Sequence, residues 1–209
     1  TYTTSRDTTF GIYASSFTGN RTTDIVLTQK IDGTEYPYAG MALLGRDIYP
    51  LSVKFPTFGS FARATLNQAF GSAQLQHALH YEADTFASMY LHNEGSGRFT
   101  ARALPSLAQI APIKAILVTD VDGDGSLDLI VGGNLYDGDP NIARADAGNG
   151  LWLRGDGKRR FSPVAPVQSG FLATLNVSAL ALINTALGKA VLVANTAYSL
   201  QAFRIRQPQ

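Results

Sequence analysis

Short apolar runs recur along the chain and are separated by turns rich in glycine, serine, asparagine and aspartate. Runs of about four to eight residues bounded by such turns are typical of β-strands. Three pairs of runs each enclose a loop: Phe10 to Ser15 with Ile25 to Gln29, Ile113 to Val118 with Leu129 to Gly133, and Val177 to Leu182 with Ala190 to Asn195. The pattern therefore predicts a mainly β protein.

Two further hairpins are predicted ahead of the second and third pairs. The first turns at Glu94 to Gly97, and the second runs from Leu151 to Phe161. Grouping the first hairpin with the strand pair that follows it gives one sheet unit, Tyr90 to Asn134, and the second hairpin begins a similar unit. One such unit cannot bury both of its faces, so the repetition indicates blades of a β-propeller or a related stacked array. We expect residues 1 to 209 to form a single segment of a partial propeller with about three blades.

The segment from residue 38 to residue 80 departs from the strand pattern. It is rich in alanine, leucine and glutamine, and its apolar residues recur at helical spacing. We expect a helical insertion of two or three short helices over Ala39 to Leu44, Phe58 to Phe70 and Ala73 to His80. Its core is predicted to contain Phe58, Phe61, Leu66 and Phe70.

The loop between Val118 and Leu129 carries the strongest chemical signal, because it contains four aspartates within nine residues. A calcium ion takes about six to eight oxygen ligands from a flexible cage. Carboxylates this close would repel one another without a cation. We therefore predict a Ca²⁺ site in this loop, and Gly125 permits the reversal that turns its oxygens inward. The predicted metal ligands are Asp120, Asp122, Asp124, the Ser126 carbonyl and Asp128.

Two other loop structures compete with the calcium loop as an explanation of these aspartates. An EF-hand loop closes with glutamate and enters a helix, but the equivalent position is Val131 and an apolar strand follows. Aspartate and glycine also form ordinary hairpin turns. The equivalent loop from Ser16 to Asp24 retains only its last aspartate, and the loop from Ile183 to Lys189 has no carboxylate. We expect the former to be a degenerate site and the latter to bind no ion.

Composition narrows the functional classes. The chain has 17 lysines and arginines, 16 aspartates and glutamates, and no cysteine. No basic run dominates, so neither nucleic acid nor an anionic membrane is indicated as the main partner. No apolar run approaches the roughly 18 residues that span a bilayer, and Thr1 to Thr4 lack a basic and apolar leader. A calcium site that fills from its surroundings favours an extracellular, cell-surface or periplasmic location.

The aspartate loop, followed by Leu129-Ile130-Val131-Gly132-Gly133-Asn134, resembles the FG-GAP/VCBS repeat family of β-propellers, which includes the integrin α-subunit head. Further blocks are similar to the C-terminal part of bacterial VCBS-repeat proteins related to cartilage acidic protein: Ile31 to Pro37, Lys54 to Phe58, Ala83 to Ser88 and Gly150 to Gly157. The resemblance implies that the five predicted ligands hold a structural Ca²⁺ ion. Such propellers have about seven blades, so the resemblance also implies that the chain is part of a longer protein or is completed by other chains.

Three functions remain open at the sequence level. The first is a non-enzymatic, calcium-stabilised propeller segment of a secreted or cell-surface protein that acts in adhesion, recognition or assembly. The second is a carbohydrate-active enzyme that uses paired carboxylates as acid and base. Its candidate residues are Glu82 with Asp84, or Asp137 with Asp139 and Asp146. The third is a structural subunit whose blades complete a multi-chain assembly.

Two smaller groups of residues were also considered. The loop from Tyr136 to Asn149 combines aromatic and hydrogen-bonding side chains, which suits a protein or glycan ligand at the cell surface. His77 and His80 lie three residues apart in the segment expected to be helical, without an evident third ligand, so we expect surface or capping histidines there. Trp152 alternates with its neighbours in a strand pattern and is expected in a blade core.

Overall fold

The computed structural model describes residues 8 to 138 and 144 to 206 of the chain. It is 42% strand and 19% helix, which confirms the prediction of a mainly β fold. Its four sheets are antiparallel and none is closed. The chain divides into two compact units, the first ending at Phe86 and the second beginning at Ala87.

The first unit has a sheet in the order β3-β2-β1-β4. Its strands are β1 (Phe10–Ser15), β2 (Asp24–Ile31), β3 (Thr34–Pro37) and β4 (Leu79–Ala83). Residues 38 to 80, all described, contain five short helices: α1 (Met41–Asp47), α2 (Tyr49–Lys54), α3 (Phe58–Ala62), α4 (Leu66–Phe70) and α5 (Ser72–His77). These helices pack on the sheet through a cluster that includes Tyr13, Val26, Leu44, Phe61, Leu66 and Phe70.

Several details of the helical segment differ from the sequence prediction. Five helices replace the expected two or three, and the last ends at His77, so that Leu79 and His80 belong to β4. The expected helix from Phe58 to Phe70 is interrupted, because Thr57 and Thr65 each form a capping box and so begin separate helices. Phe61, Leu66 and Phe70 are buried as predicted, but Phe58 is 71% exposed. Phe58 is the first residue of α3 and points away from the cluster that buries the others.

The second unit contains three sheets. A hairpin pairs β5 (Met89–Gly95) with β6 (Arg98–Ala103). A four-stranded sheet has the order β10-β9-β8-β7, with β7 (Ile113–Thr119), β8 (Asp128–Gly133), β9 (Leu151–Gly155) and β10 (Phe161–Val164). A third sheet joins β11 (Val177–Thr185), β12 (Gly188–Asn195) and β13 (Gln201–Arg204) in sequence order. A short helix, α6 (Pro166–Ser169), and a 3-10 turn (Ser106–Gln109) complete the elements that the described residues show.

The grouping of these strands corrects the sequence prediction. The three predicted pairs form, as β1 with β2, β7 with β8, and β11 with β12. However, β7 and β8 do not join the hairpin that precedes them but the one that follows, because β8 pairs with β9. The repeating sheet is therefore shifted by two strands along the sequence relative to the predicted unit from Tyr90 to Asn134.

The central strands β8 and β9 of the β7 to β10 sheet are covered on both faces. Ile130 packs on one side in a cluster with Phe171, Val177, Val191 and Val193, and Trp152 packs against that cluster. On the other side, Val131, Leu151 and Leu153 pack with Leu104 and Ala108. This double burial explains why β8 is a nearly continuous apolar run rather than an alternating one.

Candidate metal centre

The aspartate loop connects the neighbouring strands β7 and β8 of the covered sheet. Thr119 ends β7, and its register partner Asp128 begins β8. The loop therefore has fixed ends that face each other across one strand pair. The absence of a helix after the loop agrees with the sequence argument against an EF-hand.

Three of the predicted ligands converge. Each of Asp120, Asp122 and Asp124 contributes one carboxylate oxygen, and these oxygens lie within 4.8 Å of one another. Oxygens bound to Ca²⁺ at about 2.3 to 2.6 Å lie at most about 4.6 to 5.2 Å apart across the ion. The separation and the all-oxygen donor set therefore fit a hard divalent cation that contacts all three carboxylates.

Backbone hydrogen bonds hold these carboxylates in place. The Gly123 and Gly125 amides donate to the two oxygens of Asp120, at 2.7 Å and 3.0 Å. The Ser126 amide donates to Asp124 Oδ1 at 2.8 Å, and the Asp124 amide donates to Asp122 Oδ1 at 3.3 Å. Both glycines have a positive φ, 79° and 83°, which is unfavourable for residues that have a side chain. The loop conformation is thus specified by its own aspartates and glycines.

Asp128 has a different environment from the other three aspartates. Its side chain is fully buried, with 0% exposure. The Val121 amide donates to its Oδ2 at 3.0 Å, and the Gly155 amide of β9 donates to its Oδ1 at 2.8 Å. Asp128 is not a member of the converging group. The geometry shows it bracing the loop against β9, while the group of Asp120, Asp122 and Asp124 faces the loop interior.

Arg154 of β9 places a cation on the acidic loop. Its Nε lies 2.6 Å from Asp122 Oδ2, and its Nη2 lies 3.0 Å from Asp124 Oδ2. The Ser126 amide, and after it Arg154, hold the pKa of Asp124 below its usual value. Because three carboxylates face one guanidinium, the loop retains excess negative charge for a metal ion. The Arg154 side chain is half-exposed, so it can move away when an ion binds.

Sequence reasoning did not place Arg154 and Gly155 at this site. A Cβ on Gly155 would lie 2.1 Å from the Leu127 carbonyl oxygen. The residue must therefore be glycine for β9 to approach the loop. Only the pairing of β8 with β9 brings these residues to the aspartates, and no local sequence signal encodes that pairing.

The two equivalent loops lack a converging group of carboxylates. In the loop before β2, Asp24 Oδ2 accepts hydrogen bonds from the Thr18 amide at 2.9 Å and the Thr18 hydroxyl at 3.0 Å. Asp24 thus holds the conformation of its own loop through hydrogen bonds, as Asp128 does in the aspartate loop. Between β11 and β12 the loop is shorter than predicted, since the strands extend to Thr185 and Gly188.

The carboxylates considered for catalysis lie outside the aspartate loop. Glu82 Oε1 lies 3.6 Å from His80 Nε2 within a group of converging ligand atoms, and Asp84 is exposed to solvent. Asp137 and Asp146 are both exposed, and neither belongs to such a group within the described residues. Asp139 lies outside the described residues.

The predicted binding loop after β8 is anchored at its base. Asn134 is fully buried and has positive φ, 91°. Its side-chain amide donates to the carbonyls of Gly148, Thr174 and Leu175, and its Oδ1 accepts from the Gly148 amide at 2.9 Å. Tyr136 donates to the Thr174 carbonyl at 3.0 Å, and the Arg144 guanidinium lies 5.3 Å from the Tyr136 ring centre. Asn141 lies outside the described residues.

A cavity of about 680 Å³ opens beside the aspartate loop and includes Asp122 in its lining. Aromatic and basic side chains share the lining: Trp152, Phe171, Phe203, Arg204 and Arg206. Trp152 packs against an apolar cluster as predicted, and its indole N–H is buried without a hydrogen-bond partner. The cavity combines an apolar wall with charges of both signs.

No protein-family model, curated protein or solved structure matches the chain. None of the helices in the described ranges is long and apolar enough to cross a membrane.

Proposed function

We propose that the chain is a calcium-stabilised, β-propeller-type segment of a secreted or cell-surface protein, related to the FG-GAP/VCBS repeat family, with a non-enzymatic role in adhesion, recognition or assembly. The observation that carries this proposal is the convergence of Asp120, Asp122 and Asp124 in a connection between two paired strands. Calcium bound there would be structural, because it would cross-link a loop whose ends are already held in the sheet.

The sheet around the loop supports the propeller-type part of the proposal. Strands β7 to β10 form an antiparallel meander of four strands, which is the composition of a propeller blade. Apolar clusters cover both faces of its central strands, β8 and β9, as expected for a blade between neighbours. The third sheet begins with a hairpin equivalent to β7 and β8.

Two features support a binding or assembly role. The β5 and β6 hairpin exposes apolar side chains on one face, with Leu91 60% and Phe99 61% exposed. Exposed apolar faces of this kind mark surfaces that other chain segments or proteins cover. The cavity beside the aspartate loop offers aromatic and charged groups to a protein or glycan ligand. The partners we propose are therefore such a ligand and further blades or subunits.

Calcium should raise the melting temperature of the second unit, because an ion that binds only the folded loop stabilises it by mass action. At a hundredfold excess over its dissociation constant the gain is about 2.7 kcal/mol, which corresponds to roughly 5 to 15 °C for a unit of this size. Scanning calorimetry of the full chain in EGTA and after restoration of millimolar calcium measures this shift. Magnesium at the same concentration should raise the melting temperature much less than calcium.

The Asp124→Ala substitution should abolish most of the calcium-dependent rise, since it removes one of three converging carboxylates. Asp137→Asn is the matched control, because Asp137 is an exposed aspartate outside the loop, and it should retain the full shift. An equal rise in wild type and Asp124→Ala would place the ion elsewhere, and no rise in wild type would refute the proposal.

Arg154→Gln should bind calcium more tightly than wild type. The substitution removes a positive charge that contacts Asp122 and Asp124, and exposed ion pairs of this type change an equilibrium constant by roughly 1.4- to fivefold. Calcium titration by isothermal calorimetry measures the change. Arg98→Gln is a charge-matched control, because Arg98 lies on β6, outside the β7 to β10 sheet and outside the cavity that Asp122 lines. Weaker calcium binding in Arg154→Gln would show that the guanidinium supports the ion instead of competing with it.

A further inference from the structure

A second cluster of ligand-type side chains lies in the first unit, on one face of its sheet. We call Glu35, His80 and Glu82 the His80 cluster. Tyr13 of β1 is the register partner of His80, and Gly11 is the partner of Glu82 on β4 and of Thr28 on β2. Because partners in register point to the same face of a sheet, β1 and β4 direct these side chains together, and β3 adds Glu35 from the opposite side.

Distances within the His80 cluster suit a shared ion better than direct hydrogen bonds. His80 Nε2 lies 3.6 Å from Glu82 Oε1 and 4.0 Å from Glu35 Oε1. Both separations exceed the roughly 2.7 to 3.2 Å of an N–H···O hydrogen bond. Ligands bound tetrahedrally to Zn²⁺ at about 2.0 to 2.2 Å lie about 3.4 Å apart. The two separations from His80 Nε2 exceed this value by about 0.2 and 0.6 Å, and all three ligand atoms lie within 4.8 Å of one another, so a small inward movement of the side chains would let them share a metal ion.

Gly11 leaves the space beneath these ligand atoms open. A Cβ at this position would lie 3.5 Å from Glu35 Oε1, 3.5 Å from His80 Nε2 and 2.3 Å from Thr28 Oγ1. Gly11 has no positive φ that would otherwise require glycine. The absent side chain thus creates a notch that the ligand atoms border.

Two buried hydroxyl groups hold the Glu35 carboxylate in place through hydrogen bonds. Tyr13 donates to Glu35 Oε2 at 2.9 Å, and Thr28, which is fully buried, donates to Glu35 Oε1 at 3.3 Å. The Tyr13 ring also stacks on His80, with 4.0 Å between ring centres. Hydrogen bonds of this kind to ligating carboxylates are typical of metal sites.

The charges around the cluster favour a cation. No lysine or arginine forms an ion pair with Glu35 or Glu82 within residues 8 to 138 and 144 to 206. Lys30 is the register partner of Glu35 but makes no such pair. Two carboxylates therefore face one imidazole, with solvent on the open side, since the three side chains are 24% to 39% exposed.

We propose that Glu35, His80 and Glu82 form a binding site for a first-row transition-metal dication of the Zn²⁺ class. One imidazole nitrogen and two carboxylate oxygens are the ligand types that such ions accept. Three protein ligands leave at least one coordination position open to solvent. The site lies in the first unit and is independent of the proposed calcium loop, whose three converging ligands are all oxygens.

The test is a Zn²⁺ titration of the full chain carrying Asp120→Asn and Asp124→Asn, which removes the aspartate loop as a competing site. We expect one saturable Zn²⁺ site with micromolar or tighter affinity by isothermal calorimetry. Co²⁺ bound at the same site should give a visible absorption band, and this band should disappear when Zn²⁺ displaces the Co²⁺. Absence of saturable Zn²⁺ binding, or a ratio of metal to protein well below one, would overturn the proposal.

Variants assign the site to these residues. His80→Gln and Glu82→Gln should each abolish saturable binding and the Co²⁺ band, while His77→Gln, an exposed neighbour in sequence, should leave both unchanged. Tyr13→Phe should retain the site but weaken it by roughly tenfold or more, because it loses the hydrogen bond to Glu35. Binding that survives in both His80→Gln and Glu82→Gln would place the metal elsewhere and contradict the proposal.

Discussion

We expect the Asp128→Ala substitution to destabilise the second unit by about 3 to 5 kcal/mol, with or without calcium. The buried carboxylate accepts from the Val121 and Gly155 amides, and hydrogen bonds to charged groups contribute about 1.5 to 3 kcal/mol each. Removal also leaves both N–H groups without an acceptor in a buried position. Urea denaturation followed by circular dichroism, in EGTA and in calcium, measures the loss.

The corresponding substitution in the first unit is the control for this result. Asp24→Ala removes a carboxylate that also accepts two hydrogen bonds, but from Thr18 in a loop that is largely exposed to solvent. Water replaces those bonds, so we expect a loss of about 1 kcal/mol or less. If Asp128→Ala cost no more than Asp24→Ala in EGTA, Asp128 would not brace the apo loop, and its importance would depend on the ion alone.

Gly155→Ala should destabilise the second unit about as much as Asp128→Ala, but through a steric clash instead of lost hydrogen bonds. The added Cβ would lie 2.1 Å from the Leu127 carbonyl oxygen, which is a backbone atom that no side-chain rotation can relieve. The strands β8 and β9 must then separate, which also weakens the Gly155 hydrogen bond to Asp128. We expect a loss of about 3 kcal/mol or more, together with weaker calcium binding.

Gly138→Ala provides the matched control for the glycine experiment. Gly138 is in the same unit, and a Cβ there meets no atom within 4 Å. Thermal denaturation of the two variants should therefore show a large decrease in melting temperature for Gly155→Ala and little change for Gly138→Ala. Equal behaviour would mean that β9 has room to shift and that the contact with the loop is not a constraint.

Local sequence patterns predicted the individual strands and helices of this protein better than they predicted which strands pair with one another. The aspartate loop, its two flanking strands and the helical segment follow from the spacing of apolar residues, glycines and carboxylates. The pairing of β8 with β9 did not follow, because hairpins on either side of a strand pair have equivalent patterns. The wrong grouping also concealed Arg154 and Gly155, which reach the loop only through that pairing.

The same limit applies to individual residues. Phe58 has helical spacing with Phe61, yet the capping box at Thr57 begins α3 in an orientation that exposes it. His80 was grouped with His77 on an expected helix, whereas α5 ends at His77 and His80 belongs to β4. The alternation of His80 with Glu82 is a strand signal that could have placed both on one face. Glu35 is distant from both residues in sequence, so only the strand order of the sheet shows that it is the third member of the His80 cluster.

The backbone hydrogen bonds inside the aspartate loop have a kinetic consequence. Since the Asp120, Asp122 and Asp124 carboxylates are already held by amides of the same loop, ion capture requires no refolding of the chain. Only the Arg154 side chain has to rotate away, and exposed side chains rotate on a picosecond to nanosecond timescale. The loop would then equilibrate with external calcium almost as fast as the ion diffuses to it. It would serve as a permanent clamp in calcium-rich surroundings and would be a poor trigger for conformational signalling.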